Sequence, residues 1–374
     1  MKYKYWSVVL FPVILLISGC NGSGDTSNNN ITAKSSVLVP DTNYAFTQEK
    51  LDDLLRERRE FLNSATLDYK VPGKSIKKYQ IKYGMEAWKG QALLMFKQEQ
   101  DPEASALVMQ VPMQPDEKSE CYLWNEGDSD DQRRVFDCSI ERTSSMDGES
   151  IDFINVPDSG GLGYAISLPF HKDLTGIGSA RFTVTGDSTG VYLIRSSNPF
   201  AKQNVEFTTL GVSSYLDIAQ ILESKGINQN ITLEFDNFVG GSVDDDINMY
   251  TGLMLREYEV KTRLSAKGSV ASGGVDLFSA GVERSVTLKK NGFSIADNQR
   301  FGVHSWDDED DKKQATDYPL NHPAHSPQAT YFKRMLGDKG VPFYLFTIKA
   351  APADGMHYMT RAELDRYQLI TQYQ

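Results

Sequence analysis

The heptapeptide Gly268-Ser269-Val270-Ala271-Ser272-Gly273-Gly274 constrains this chain more than any other stretch. An alternating, strand-like run precedes it, and an apolar, helix-like segment at 275–281 follows. Small residues on both sides of Ser272 let the backbone turn sharply there and let a substrate carbonyl come close. A serine at the first turn of a helix also sits among free N–H groups and partial positive charge, which favour a developing oxyanion. Two further segments flank it in sequence. Asn237-Phe238-Val239-Gly240-Gly241-Ser242 follows a strand-like run upstream, and Phe301-Gly302-Val303-His304-Ser305-Trp306 lies downstream. A glycine pair, a small-residue serine turn and a strand-borne histidine, in that order, read as a serine hydrolase site.

From about residue 203 the pattern alternates between strand and helix. Strands are expected at 205–210, 231–235 and 260–264, with helices at 214–223 and 245–258. Such alternation predicts an α/β domain of βαβ units around a mostly parallel sheet. Ligand sites in these sheets gather at the carboxyl ends of strands, where the glycine pair and Ser272 both fall. Ahead of it, 47–64 predicts a helix capped by Thr47, with Leu51, Leu54, Leu55, Phe61 and Leu62 as its apolar stripe. From 75 to about 195 the runs are short, apolar or alternating, and separated by turns, which predicts a β-rich domain. The expected division is a β-rich accessory domain at 45–200 and a hydrolase domain at 203–374.

The first residues carry a leader. Lys2 and Lys4 precede the apolar run 6–17, and Ile17-Ser18-Gly19-Cys20 closes it with small residues and a cysteine. These are the parts of a secretory signal, and the apolar run is shorter than the roughly 20 residues that cross a bilayer. The ending resembles a bacterial lipobox, which implies removal of 1–19, lipid on Cys20 and attachment to the cell envelope, with Asn21 leaning towards the outer membrane facing the periplasm. An uncleaved N-terminal anchor is the alternative. Residues 20–40 are rich in Asn, Ser, Gly and Thr and read as a flexible tether. Losing the leader takes the net charge from −11 to −13, and no basic stripe is present, which argues against a nucleic-acid partner. Cys121 and Cys138 then remain, and a secreted context favours a disulfide between them over two free thiols. The stretch they bracket reads as a hairpin with an acidic loop.

The C-terminal segments together resemble the proteolytic subunit of Clp protease and its crotonase-like relatives, over roughly residues 205–370. Residues 268–281 follow that family's nucleophile pattern Gly-x-Ala-Ala-Ser-x-Gly, ending in Ala280-Gly281. Residues 237–243 match its Asn-Ser-Pro-Gly-Gly-Ser-Val turn, with Phe238 and Val239 in place of Ser and Pro. Val303-His304 matches the hydrophobic residue and histidine, and Tyr358-Met359-Thr360-Arg361-Ala362-Glu363 resembles Phe-Leu-Ser/Thr-Ala-x-Glu. The resemblance implies Ser272 as nucleophile, His304 as general base, and the N–H groups of Gly241 and Gly273 as oxyanion hole. The family's acid aligns near Pro352, so Asp354 is the nearest carboxylate to orient His304. A serine–histidine dyad, or an acid from 307–311, stands beside it. Peptide or protein substrates, no cofactor and a homo-oligomer are what the resemblance implies.

A catalytically inactive binding or scaffold lipoprotein with the same fold is the competing reading. Acyl-thioester chemistry is disfavoured by the serine–histidine pair. Asp276, one helical turn past Ser272, either holds a substrate amine or faces solvent, the second being simpler. The run Asp307-Asp308-Glu309-Asp310-Asp311, followed by His322 and His325, lacks the glycine and spacing of a calcium loop, so no metal is expected. It reads as a polar loop over the cleft whose charge would favour basic peptides.

Overall fold

The computed structural model describes residues 38–70, 75–87, 90–98, 105–113, 120–137, 140–145, 148–153, 165–167, 172–188, 190–227, 229–288, 299–308 and 312–374. The expected leader, most of the expected tether, Cys20 and Cys138 lie outside them.

Helix α1 (Gln48–Ser64) starts where its sequence signals it, with the Thr47 hydroxyl accepting from Lys50 N at 3.3 Å. Its stripe residues Leu51, Leu54 and Leu55 pack against Tyr215, Ala219 and Ile247 of the C-terminal half. The chain then forms β1 (Thr66–Lys70), β2 (Lys77–Ala87), β3 (Gln91–Gln98), β4 (Leu107–Pro112), β5 (Glu120–Asn125) and β6 (Arg134–Asp137). A hairpin of β7 (Ile140–Ser145) and β8 (Gly148–Phe153), then β9 (Ala165–Ser167), follow. Among the described residues the order of the larger sheet is β6-β5-β4-β3-β2-β1-β9, and every pairing in it is antiparallel. Strand β3 reads Ala92-Leu93-Leu94-Met95-Phe96 without alternation because both faces are covered. Leu94 and Phe96 join one cluster with Leu174 and Val212, while Leu93 and Met95 join another with Phe200 and Val205. The hairpin around the acidic loop is present as β5–β6, with Cys121 opposite Phe136 and fully buried. The expected partner of Cys121 falls outside the described residues.

The C-terminal half has two sheets rather than the one expected. The first comprises β10 (Arg181–Ser188), β11 (Val191–Ser197), β13 (Asn230–Phe235), β15 (Lys261–Leu264), β17 (Arg284–Val286) and β22 (Gln372–Tyr373), in that order. The second comprises β12 (Phe207–Leu210), β14 (Phe238–Ser242), β16 (Ser269–Ala271), β18 (Phe301–Val303) and β21 (His357–Tyr358). Pairing is parallel except at the β10–β11 and β18–β21 edges. Successive strands alternate between the sheets, with α2 (Val212–Lys225), α3 (Asp245–Glu257) and α4 (Gly273–Ser279) returning the chain from the second sheet to the first. Strands β10 and β11, ahead of residue 203, belong to this half.

Beyond the strand expected at 231–235 the chain turns a corner at Asp236-Asn237 and forms a second strand, β14. Ser196 Oγ donates to Asn237 Oδ1 at 2.6 Å and accepts from Asp236 N at 2.9 Å. Asn237 Nδ2 donates to Thr208 Oγ1 at 2.9 Å. These bonds replace the ladder at the corner and send β14 into the second sheet. Between the sheets Leu233, Phe235, Val239, Val270, Leu277 and Phe278 are fully buried, each stabilising the fold by roughly 1.5–3 kcal/mol. The C-terminal part adds β19 (Asp307–Asp308), β20 (Lys313–Gln314), α5 (Ser326–Leu336), α6 (Gly340–Ala350) and α7 (Arg361–Arg366).

Candidate active site

Parallel register brings the three sequence signals together. Strands β14, β16 and β18 are neighbours in the second sheet, with Val239 opposite Val270 and Val270 opposite Phe301. Their carboxyl ends therefore lie side by side, at spacings of about 4.8 Å per strand. Ser242, Ser272 and His304 end or immediately follow these strands, and all three line one cleft. Gly273, Asp245, Asp276, Val303, Ser305, Trp306, Asp307, Gln328 and Thr347 complete its wall.

Ser272 sits between β16 and α4 at φ +50° and ψ −128°. This is a left-handed conformation that costs a non-glycine residue on the order of 1–3 kcal/mol. The flanking structure holds it there: Ser272 N donates to Gly302 O at 2.9 Å, and Val275 N donates back to Ser272 O at 2.8 Å. Close packing explains Gly273, where a Cβ would overlap the side chain of Ser242. As the first residue of α4, Gly273 carries an N–H with no acceptor inside its own helix. Asn248 Nδ2 of α3 holds the Gly273 carbonyl at 2.9 Å. In β14 the register slips between Thr208 and Thr209, so that Gly240 is the extra residue of a bulge just before Gly241. Gly241 lies next to Ser242 in the same strand but does not line the cleft.

His304 is half-buried, and its Nδ1 lies 2.7 Å from Ser305 O. A carbonyl can only accept, so Nδ1 carries the proton and Nε2 of the neutral ring is left as the base. Burial lowers the His304 pKa below its usual 6.5, against the opposing pull of the Ser305 carbonyl, Asp245 and Asp307. The ring is thus neutral near pH 7.

Asp354 is not brought to this histidine. It is exposed in the loop after α6 and makes no hydrogen bond or ion pair among the described residues. The loop is fixed through other atoms, with Ser305 N donating to Ala351 O and Ala353 N to Gln314 Oε1. From the acidic run, Asp307 reaches the cleft from the β19–β20 hairpin, while 309–311 lie outside the described residues. The histidines of the downstream loop are occupied separately. His325 is buried with Nδ1 2.6 Å from Tyr344 Oη, and His322 stacks on Tyr318 and accepts from Ala324 N.

Asp276 does not face solvent. It is 8% exposed in the cleft wall, because the helix turn that presents it is covered by α5. Gln328 Nε2 donates to its Oδ2 at 3.0 Å, and Tyr331 Oη donates to its backbone carbonyl at 2.8 Å. Burial, reinforced by Asp245, pushes its pKa up to about 8. Ser242 Oγ donates to Asp245 Oδ1 at the start of α3. Gln328, Thr347 and Asp245 were missed in the sequence. Only Asp245 had a signal, as the first residue of a helix directly after the glycine pair.

No family model and no curated protein matches this sequence. Among solved structures it is similar to an enoyl-CoA hydratase from Thermoplasma volcanium at 11% identity and TM-score 0.32, over 52% of this chain and 71% of that one. An enoyl-CoA hydratase from Shewanella pealeana gives 13% and 0.33, and DspI from Pseudomonas aeruginosa 14% and 0.32, each over 52% of this chain and 68% of the other. Likeness this distant carries over neither family nor activity.

Proposed function

We propose that this chain is a crotonase-like serine hydrolase, most simply a peptidase, tethered to the cell envelope through lipid on Cys20. One observation carries the reading: Ser272 is held in a strained turn at the end of β16 and lines the same cleft as His304, whose Nδ1 is turned to the Ser305 carbonyl so that Nε2 is the basic nitrogen. A serine hydroxyl needs such a base, because it is a poor nucleophile at its free pKa.

In the proposed reaction His304 Nε2 takes the Ser272 hydroxyl proton as Oγ attacks the scissile carbonyl. The C–O bond that forms leaves negative charge on the carbonyl oxygen, which the N–H group of Gly273 stabilises; losing such a donor typically costs about 2.7–4 kcal/mol. The tetrahedral centre collapses, the C–N bond breaks, and His304 returns the proton to the leaving amine. Water, deprotonated by the same nitrogen, then attacks the acyl-enzyme and releases acid and free Ser272. The Ser305 carbonyl fills the orienting role usually given to a carboxylate.

Labelling of the purified full chain with a neutral fluorophosphonate tests this by intact mass. One adduct per chain is expected, lost in Ser272→Ala and His304→Ala. No adduct on the folded protein would move the reading to a binding lipoprotein of the same fold.

A further inference from the structure

We propose that Asp276 is the specificity residue of this cleft, and that it receives a cationic side chain, an ammonium or guanidinium, carried by the acyl part of the substrate. The inference rests on the hydrolase reading for its substrate and on the cleft alone for its ligand chemistry.

Position comes first. Ser272, the non-helical residue just ahead of α4, and Asp276, in the first turn of α4, line the same cleft. The second argument is incomplete satisfaction. A carboxylate offers two oxygens and about four acceptor sites. Gln328 Nε2 meets Oδ2, while Oδ1 has no donor among the described residues and is not shut off from the cleft that Asp276 lines. A cation or further donors there would stabilise the ionised form that burial disfavours.

Charge gives the third argument. Asp245, Asp276 and Asp307 all line the cleft, and among the described residues no lysine or arginine does. The one titratable base there, His304, is neutral near pH 7. A cation entering between Ser272 and Asp276 therefore meets only negative or dipolar groups. From α5, Gln328 holds the carboxylate and Tyr331 holds the Asp276 backbone carbonyl, so the position is built rather than free to swing into solvent.

Two aryl phosphonates that differ only in a 4-aminobutyl or a butyl side chain read the preference directly. On the wild-type chain the cationic probe should label Ser272 at least about tenfold faster. In Asp276→Asn, which keeps shape and can still bond Gln328, that ratio should fall to about one. Equal rates on wild type, or a ratio that survives the substitution, would overturn the proposal. A second measurement needs neither chemistry nor the variant: n-butylammonium should raise the wild-type melting temperature while butanol does not. Stabilisation by butylammonium in a protein that no phosphonate or fluorophosphonate labels would sink the hydrolase reading and keep the cation site. Stabilisation by magnesium ion alone, with none by butylammonium, would overturn the site.

Discussion

Asp276, buried, and Asp217, half-buried, are carboxylates with raised pKa values, and their surroundings differ in the partners that each finds. Asp217 lies on α2, where its Oδ2 accepts from Tyr83 Oη at 2.8 Å and from Phe182 N at 3.0 Å, with Arg181 near enough to act on its charge. Burial raises it, but two hydrogen-bond donors and a cation pull it back. The groups it joins come from β2, β10 and α2, so it ties the N-terminal sheet to the C-terminal half. Asp276 has one amide donor, Gln328, while burial together with a second carboxylate, Asp245, raises its pKa. A satisfied buried carboxylate serves the fold, whereas an under-satisfied one at a cleft awaits a ligand.

A large effect of this contrast is expected at Asp217. Asp217→Ala strands the Tyr83 hydroxyl and the Phe182 N–H, and should cost about 3 kcal/mol in urea unfolding while leaving the probe preference intact. A loss under about 1 kcal/mol would erase the distinction between the two sites. Asp276→Asn should act in the opposite sense. Because its folded pKa is raised, Asp276 holds a proton in the folded state that the unfolded chain has lost. Stability therefore falls with rising pH from near 4 up to about 8, by up to about 1.4 kcal/mol per pH unit, and Asn removes that slope. Subtracting wild-type from variant stability at pH 5, 6.5 and 8 isolates it, since Asp217 contributes equally to both. The variant should gain on the wild type at each step. A flat difference would mean that Asp276 is ionised and already compensated.

Local signals in the sequence were enough for the helices α1, α2 and α3 and for the serine turn, because caps, apolar stripes and glycines act within a few residues. Thr47 caps α1 as its spacing predicts, and Ser272 occupies the strained turn that its small neighbours permit. The second sheet was hidden, since its corner depends on Ser196 and Thr208, distant residues that bond the Asp236-Asn237 step. Asp276 was hidden for the same reason. Helical spacing put it on the face of Ser272, but burial required α5, whose Gln328 and Tyr331 lie more than fifty residues on. The orienting group of His304 was sought among carboxylates, while a neighbouring backbone carbonyl holds it, and every residue type carries one.

The smallest expected effect concerns the turn itself. Ser272→Gly should abolish labelling and still raise stability, because glycine adopts φ +50° without the clash that serine bears. The gain is limited to about 1 kcal/mol, since glycine also adds freedom to the unfolded chain and the serine loses few contacts. Ser272→Ala keeps the Cβ and hence the strain, so it should abolish labelling with little change in stability. Urea unfolding of the pair therefore separates the two properties of this residue, its hydroxyl and its backbone. A Gly variant no more stable than the Ala variant would show that the turn is unstrained. The strained position is consistent with selection for catalysis only if the glycine is the more stable of the two, because a chain shaped by stability alone would have kept glycine there.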